Sequence, residues 1–262
     1  MIIDWLKDDI PSLCNCSLVA QAWRPRSQFH IHHTLKVSSS DRCQHAERLY
    51  SDTFLASCIR EIDILSIQID MDRPRDRWLD EVFPAMLSTL NRVHPLAVGA
   101  VTLLCGHDID WGSYPEPLFP NVTELTVKLL KFDDASKFAA FMRHFPRLTS
   151  LSLSSFTIEY TTRDVEAPGP RPPLRKLEIY SSTGQEFFMN WFLHQPAQNI
   201  KLDTLLYSVE RWQLRVPRSS LRAFGASVQN LTIVFAFESP HYLLKGASGH
   251  PCNMAMQLIL CP

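Results

Sequence analysis

The residues able to do chemistry are few and loosely grouped. Cys105-Gly106-His107-Asp108-Ile109-Asp110 is the one stretch of the sequence that joins a nucleophile, a base and carboxylates. Neighbours on a strand point to opposite faces, so adjacency makes no dyad, and His107 and Asp110 are expected in a loop after a strand. His30, His32 and His33 follow Cys14 and Cys16, but H-x-H-H and C-x-C lack the paired spacing of a zinc site. Asp70, Asp72, Asp76 and Asp80 interleave with Arg73, Arg75 and Arg77; mixed sign favours a solvated loop leading into a capped helix over a metal site. Arg163 to Pro173, with Pro168-Gly169-Pro170, reads as a surface loop. No G-x-S-x-G, H-E-x-x-H, Walker A or G-x-G-x-x-G pattern occurs. No catalytic, metal or cofactor-binding residue is assigned, and neither enzyme activity nor a cofactor is expected.

Composition narrows the partners. Of 262 residues, 45% are apolar and 20% charged, ordinary values for a chain that folds. Lys+Arg is 26 against Asp+Glu 27, so a net charge of -1 offers no basic field to nucleic acid or an anionic membrane. No apolar run is long enough to span a bilayer. Met1 to Leu6 is apolar, but Asp4, Asp8 and Asp9 stand where a signal peptide carries basic residues, so a cytoplasmic or nuclear location is expected. The 7 cysteines are then read as reduced thiols.

What must position any site is a repeat. The pattern apolar, two residues, apolar, one residue, apolar occurs at Ile59/Ile62/Ile64, Val98/Val101/Leu103, Val122/Leu125/Val127 and Leu148/Leu151/Leu153. It continues at Leu174/Leu177/Ile179, Leu202/Leu205/Tyr207 and Val228/Leu231/Ile233. From Val101 on, the middle positions are spaced by 24, 26, 26, 28 and 26 residues, after one longer step of 39. Two copies share flanks, Phe119-Pro120 and Phe145-Pro146. Between the strand candidates lie helical stripes: Trp78 to Leu90 with Pro84 inside, Phe138/Phe141/Met142/Phe145 after Asp133 or Asp134, Phe187/Phe188/Trp191/Phe192, and Leu221/Phe224. Strand and helix at this period predict a parallel sheet with outer helices, an α/β solenoid. The strand motif resembles the L-x-x-L-x-L of leucine-rich repeats, with Leu130 and Phe156 where that family carries the Asn or Cys of its turn ladder.

Residues 1-37 do not follow the repeat. Leu6 to Arg24, Leu-Lys-Asp-Asp-Ile-Pro-Ser-Leu-Cys-Asn-Cys-Ser-Leu-Val-Ala-Gln-Ala-Trp-Arg, resembles the second half of an F-box, with Cys16, Ser17, Leu18, Val19, Trp23 and Arg24 matching position by position. Ala20 and Gln21 depart from the motif's second cysteine and its arginine, and Met1 falls inside what should be the motif's first helix, so an F-box-like element incomplete at its N-terminus is expected. Phe29-His30-Ile31-His32-His33-Thr34-Leu35 is similar to the closing segment of that motif. The resemblance is to F-box proteins with irregular leucine-rich repeats. It implies a Skp-family linker bound by the F-box, a cullin-RING ubiquitin ligase behind it, and an unknown protein substrate on the repeats. The alternative is a repeat scaffold whose F-box is degenerate and has no ligase role.

The expected layout is a small all-α F-box-like element at 1-37, a linker and helix at 38-58, the solenoid at 59-237 and an irregular tail at 238-262. Leu13, Leu18, Val19 and Trp23 are the candidate linker-binding residues, some of them needed for the element's own core. Alternation places Asp63, Thr102, Thr126, Ser152, Glu178, Leu206 and Thr232 on the strand face pointing away from the helices, one rung per repeat, as the candidate substrate face.

Overall fold

The structure is a computed structural model that describes residues 2–66, 78–93, 96–105, 111–114, 117–160, 172–180, 202–210, 228–236 and 253–259. The chain opens with α1 (Ile2–Trp5), α2 (Ile10–Val19) and α3 (Arg24–Ile31). Then come β1 (Thr34–Val37), α4 (Ser40–Leu49), α5 (Thr53–Cys58), β2 (Glu61–Ser66), α6 (Trp78–Val93) and β3 (Ala100–Cys105). The next elements are β4 (Glu124–Lys128), β5 (Lys131–Asp134), α7 (Ala135–Arg143), β6 (Ser150–Ser154) and β7 (Thr157–Tyr160). The last are β8 (Lys176–Tyr180), β9 (Thr204–Glu210), β10 (Asn230–Ala236) and β11 (Asn253–Ile259).

Among the described residues, one sheet runs in the order β1-β2-β3-β4-β6-β8-β9-β10-β11, and every neighbouring pair is parallel except β10 with β11. The fold is therefore α/β around a mostly parallel sheet. The register follows the repeat. Ile62, Val101, Leu125, Leu151, Leu177, Leu205 and Leu231 are successive Cα partners across the sheet. All the repeat's apolar positions are buried except Ile233, which packs against the same core. A one-residue slip in any strand would turn the two repeat side chains it carries to the other face, so burial fixes the register.

A backbone ladder precedes each parallel strand of the nine-stranded sheet from β2 to β10. The carbonyls of His33, Arg60, Gly99, Thr123, Thr149, Arg175 and Asp203 each accept two consecutive N–H groups from the start of the next parallel strand. These shared bonds satisfy the donors that enter the sheet and lock unit to unit. The ladder starts at His33, one unit earlier than the repeat pattern begins. Thr34–Val37, placed on sequence with the helical element, is the first strand of the sheet, with Leu35 opposite Ile62. The pattern hides it because His32 stands at the first apolar position. The 38-58 stretch holds two helices, and the expected irregular tail contains β11 as an antiparallel last strand.

The turns after the strands use the backbone where leucine-rich repeats use a side chain. Leu129 and Ser155 follow β4 and β6 with φ of 59° and 52°. From this left-handed geometry Leu129 N–H donates to the Ser154 carbonyl at 3.0 Å and Ser155 N–H to the Tyr180 carbonyl at 3.2 Å. Each turn is thereby tied to the end of the next strand in the sheet. Leu130 and Phe156 then turn inward and are buried, and β5 and β7 pair as a small second parallel ladder.

The helices cover one face. On α6, Trp78, Leu79, Phe83, Met86, Leu87 and Leu90 are buried, enough apolar contact to carry Pro84 through the helix despite its missing N–H. On α7, Asp134 caps the N-terminus by accepting from Ser136 N–H at 2.7 Å and Lys137 N–H at 3.0 Å. Bonding from the Ser136 hydroxyl is the first cause holding that carboxyl below its ordinary range. Phe132, Phe138, Phe141, Phe145 and Phe156 make a buried aromatic cluster, each ring worth about 1.5–3 kcal/mol of burial. The shared Phe-Pro flanks explain themselves here: Phe119 and Phe145 stack at 5.0 Å with planes 8° apart. His144, which no motif singles out, is fully buried beside the Trp111 and Tyr114 rings. Its Nδ1 accepts from Leu118 N–H at 3.4 Å, which leaves Nε2 to donate to the Trp111 carbonyl at 2.9 Å. The aromatic stripes at 187–192 and 221–224 lie outside the described residues.

Candidate protein-interaction surfaces

On α2 the sequence carries two apolar stripes, and the structure sends them opposite ways. Asp9 caps the helix by accepting from Ser12 N–H at 3.1 Å and from the Ser12 hydroxyl at 2.6 Å, which lowers its carboxyl pKa. That start fixes the helix phase. Leu13 faces inward and is fully buried, so it serves the core of the helical element. Leu18 is 84% exposed, Val19 74% and Trp23 44%. Ile10 and Cys14, eight and four residues before Leu18, are exposed with it, and so is Trp5 on α1, at 88%. Trp5 and Ile10 were not among the sequence candidates. Ile10/Cys14/Leu18 is a true helical stripe, but periodicity does not say which of two stripes turns inward. Large apolar side chains exposed over so short a segment make this face a candidate interaction surface.

Polar contacts fasten this element to the sheet. Asp4 accepts from Arg26 Nε at 2.6 Å and bonds His30 Nε2 at 2.8 Å, while Ile3 beside it is buried. His30 first, then Arg26, holds the Asp4 carboxyl well below the usual carboxylate range. Phe29 lies under two guanidinium groups, Arg26 at 5.3 Å and Arg60 at 5.8 Å, the second of these from the strand side. His32 Nδ1 meets the Tyr50 hydroxyl at 3.2 Å on α4, and His33 Nδ1 lies 3.8 Å from Glu61 on β2. The three histidines therefore diverge to three different partners. Among the described residues no three His, Cys, Asp or Glu side chains gather as metal ligands. Burial pushes the His32 imidazole down and lifts the Tyr50 phenol to about 12, so the pair stays neutral with Tyr50 O–H donating to Nδ1.

The open side of the sheet carries the second set. Asp63, Thr102, Thr126, Ser152, Glu178, Leu206 and Thr232 are successive Cα partners, and Lys36 of β1 extends the rung. All seven candidates are half-buried. With strands about 4.8 Å apart, the eight-residue rung is about 34 Å long. Lys176 meets Glu178 at 2.8 Å, and that carboxylate raises the ammonium's pKa. Thr34 donates to Glu61 at 2.9 Å on the neighbouring rung. Leu206 apart, the side chains of the rung are polar and of mixed sign.

Other sequence candidates resolve less. Cys105 is buried at the end of β3, and 106–110 lie outside the described residues, as do Asp70, Asp72, Asp76, the three arginines between them and the 163–171 stretch. Asp80 sits in the first turn of α6. A cavity between α6 and the 118–122 turn has room for about one water, about 10 Å³, far below what a metabolite fills. No described helix is long and apolar enough to cross a membrane. No protein-family model, curated protein or solved structure matches the chain.

Proposed function

We propose that this chain is a non-catalytic interaction module, the substrate-recognition subunit of a cullin-RING ubiquitin ligase. In this reading α1–α3 form an F-box-like element that binds a Skp-family linker. The sheet is a leucine-rich-repeat-like solenoid whose open face takes a target protein in the cytoplasm or nucleus. The observation that carries the reading is the exposure of Leu18, Val19 and Trp23, the residues that match the F-box pattern, while Leu13 alone of the four candidates is spent on the core. A second support is the in-register polar rung, whose short mixed-sign side chains suit a protein surface better than a polyanion.

Co-purification of the full chain with a Skp-family linker tests this, comparing wild type with Leu18→Asp and Trp23→Ala. Recovery with wild type and loss with both variants is expected. Equal recovery from all three contradicts the assigned face. No recovery with wild type favours the second reading, a repeat scaffold without a ligase role, which the departures at Ala20 and Gln21 motivate.

A further inference from the structure

The two ends of the sheet are finished differently. β1 has only four residues, carries Lys36, and is flanked by α4, devices that discourage pairing at an edge. β11 has seven residues, Asn-Met-Ala-Met-Gln-Leu-Ile, with no charge, proline or glycine. It pairs along its whole length with β10, from Asn230 opposite Ile259 to Ala236 opposite Asn253. Among the described residues nothing pairs with its other edge. Alternate N–H and C=O groups of such a strand point away from its partner and need acceptors and donors.

We propose that β11 pairs with β11 of a second copy, antiparallel about a two-fold axis, to join two sheets into one. Three features favour a second copy as the occupant. An antiparallel strand is its own complement under a two-fold operation, so each bond formed is formed twice. An uncharged strand meets itself without like-charge contacts, whatever the register. The two-fold also preserves the layers. Gln257 and Ala255 are Cα partners of Thr232 and Val234, so they share the open face, and pairing continues that face from one copy to the next. A target gripped by one open face would then meet two of them side by side.

The mass of the full chain in solution, followed over concentration by light scattering, tests the proposal. A shift from 30.0 kDa towards twice that value is expected as concentration rises. Gln257→Lys and Gln257→Glu, at the position in register with Thr232, are each expected to weaken the dimer by about tenfold through repulsion across the axis. Mixing the two variants is expected to restore it. Amide exchange in 253–259 is expected to slow as concentration rises, while that of 34–37 does not change. A monomer at every concentration up to about 100 µM overturns the proposal, as does a dimer that neither charge weakens. Amides of β11 that gain protection only when a target protein is added would assign the edge to that protein instead, and would equally overturn it.

Discussion

Leu13 and Leu18 share one helix and one residue type, yet only Leu13 is buried. Leu13→Ala is expected to lower unfolding stability by about 2–5 kcal/mol in urea, whereas Leu18→Ala should change it by no more than about 0.5 kcal/mol. A comparable loss from both would place Leu18 in the core. The left-handed turns give a prediction of opposite sign. Leu129→Gly and Ser155→Gly relieve a φ that costs a non-glycine residue about 1 kcal/mol, and a rise in the urea midpoint is expected from each. Removing the cap with Asp134→Ala should cost about 1 kcal/mol by the same measurement. His32 and Tyr50 set a pH window. The folded imidazole sits below 6.5, so its contribution is full above that pH and falls away on acidification through the lowered value. The folded phenol is raised from 10.0 to about 12, so its contribution is full below 10 and lost as pH rises towards 12. Stability against urea should be flattest between those limits, and His32→Gln should remove part of the acid-side slope. An unchanged acid slope in that variant would contradict the burial of the His32 imidazole.

At the scale of elements, the sequence is most legible where one face of a strand meets one face of a helix. Each repeat unit from Ile62 to Leu231 forms the strand expected of it, because its three apolar positions, one before the strand and two on it, pack into the common core. The α6 and α7 stripes are legible for the same reason. β1 is not, since a four-residue strand opened by His32 offers two inward side chains and sits beside a helical motif that competes for the same residues. The left-handed turns after β4 and β6 are not legible either, because a left-handed Leu or Ser leaves no signature in sequence. His144 was invisible for a different reason. A histidine that bonds two backbone groups of a distant loop is defined by the loop, not by its neighbours in the chain. His144→Leu strands the Trp111 carbonyl and the Leu118 N–H in the core, and a loss of about 1–3 kcal/mol is expected on thermal or urea unfolding.

For the whole molecule, the parallel order could be inferred because units of nearly constant length that each bury one apolar face have few ways to stack. The direction in which the apolar stripes of the helical element face could be inferred only in part. Sequence named three of the exposed apolar residues of the helical element and missed Trp5 and Ile10, since amphipathic periodicity gives the stripe without its direction. The account rests on two surfaces, an apolar one on α1–α3 for a linker and a polar one across the sheet left free for a target. Amide hydrogen exchange of the full chain with and without a Skp-family linker separates them most directly. The account predicts slowed exchange between residues 5 and 24 and unchanged exchange along β2, β3, β4 and β6. Protection that falls on the strands instead, or nowhere on the helical element, would contradict it.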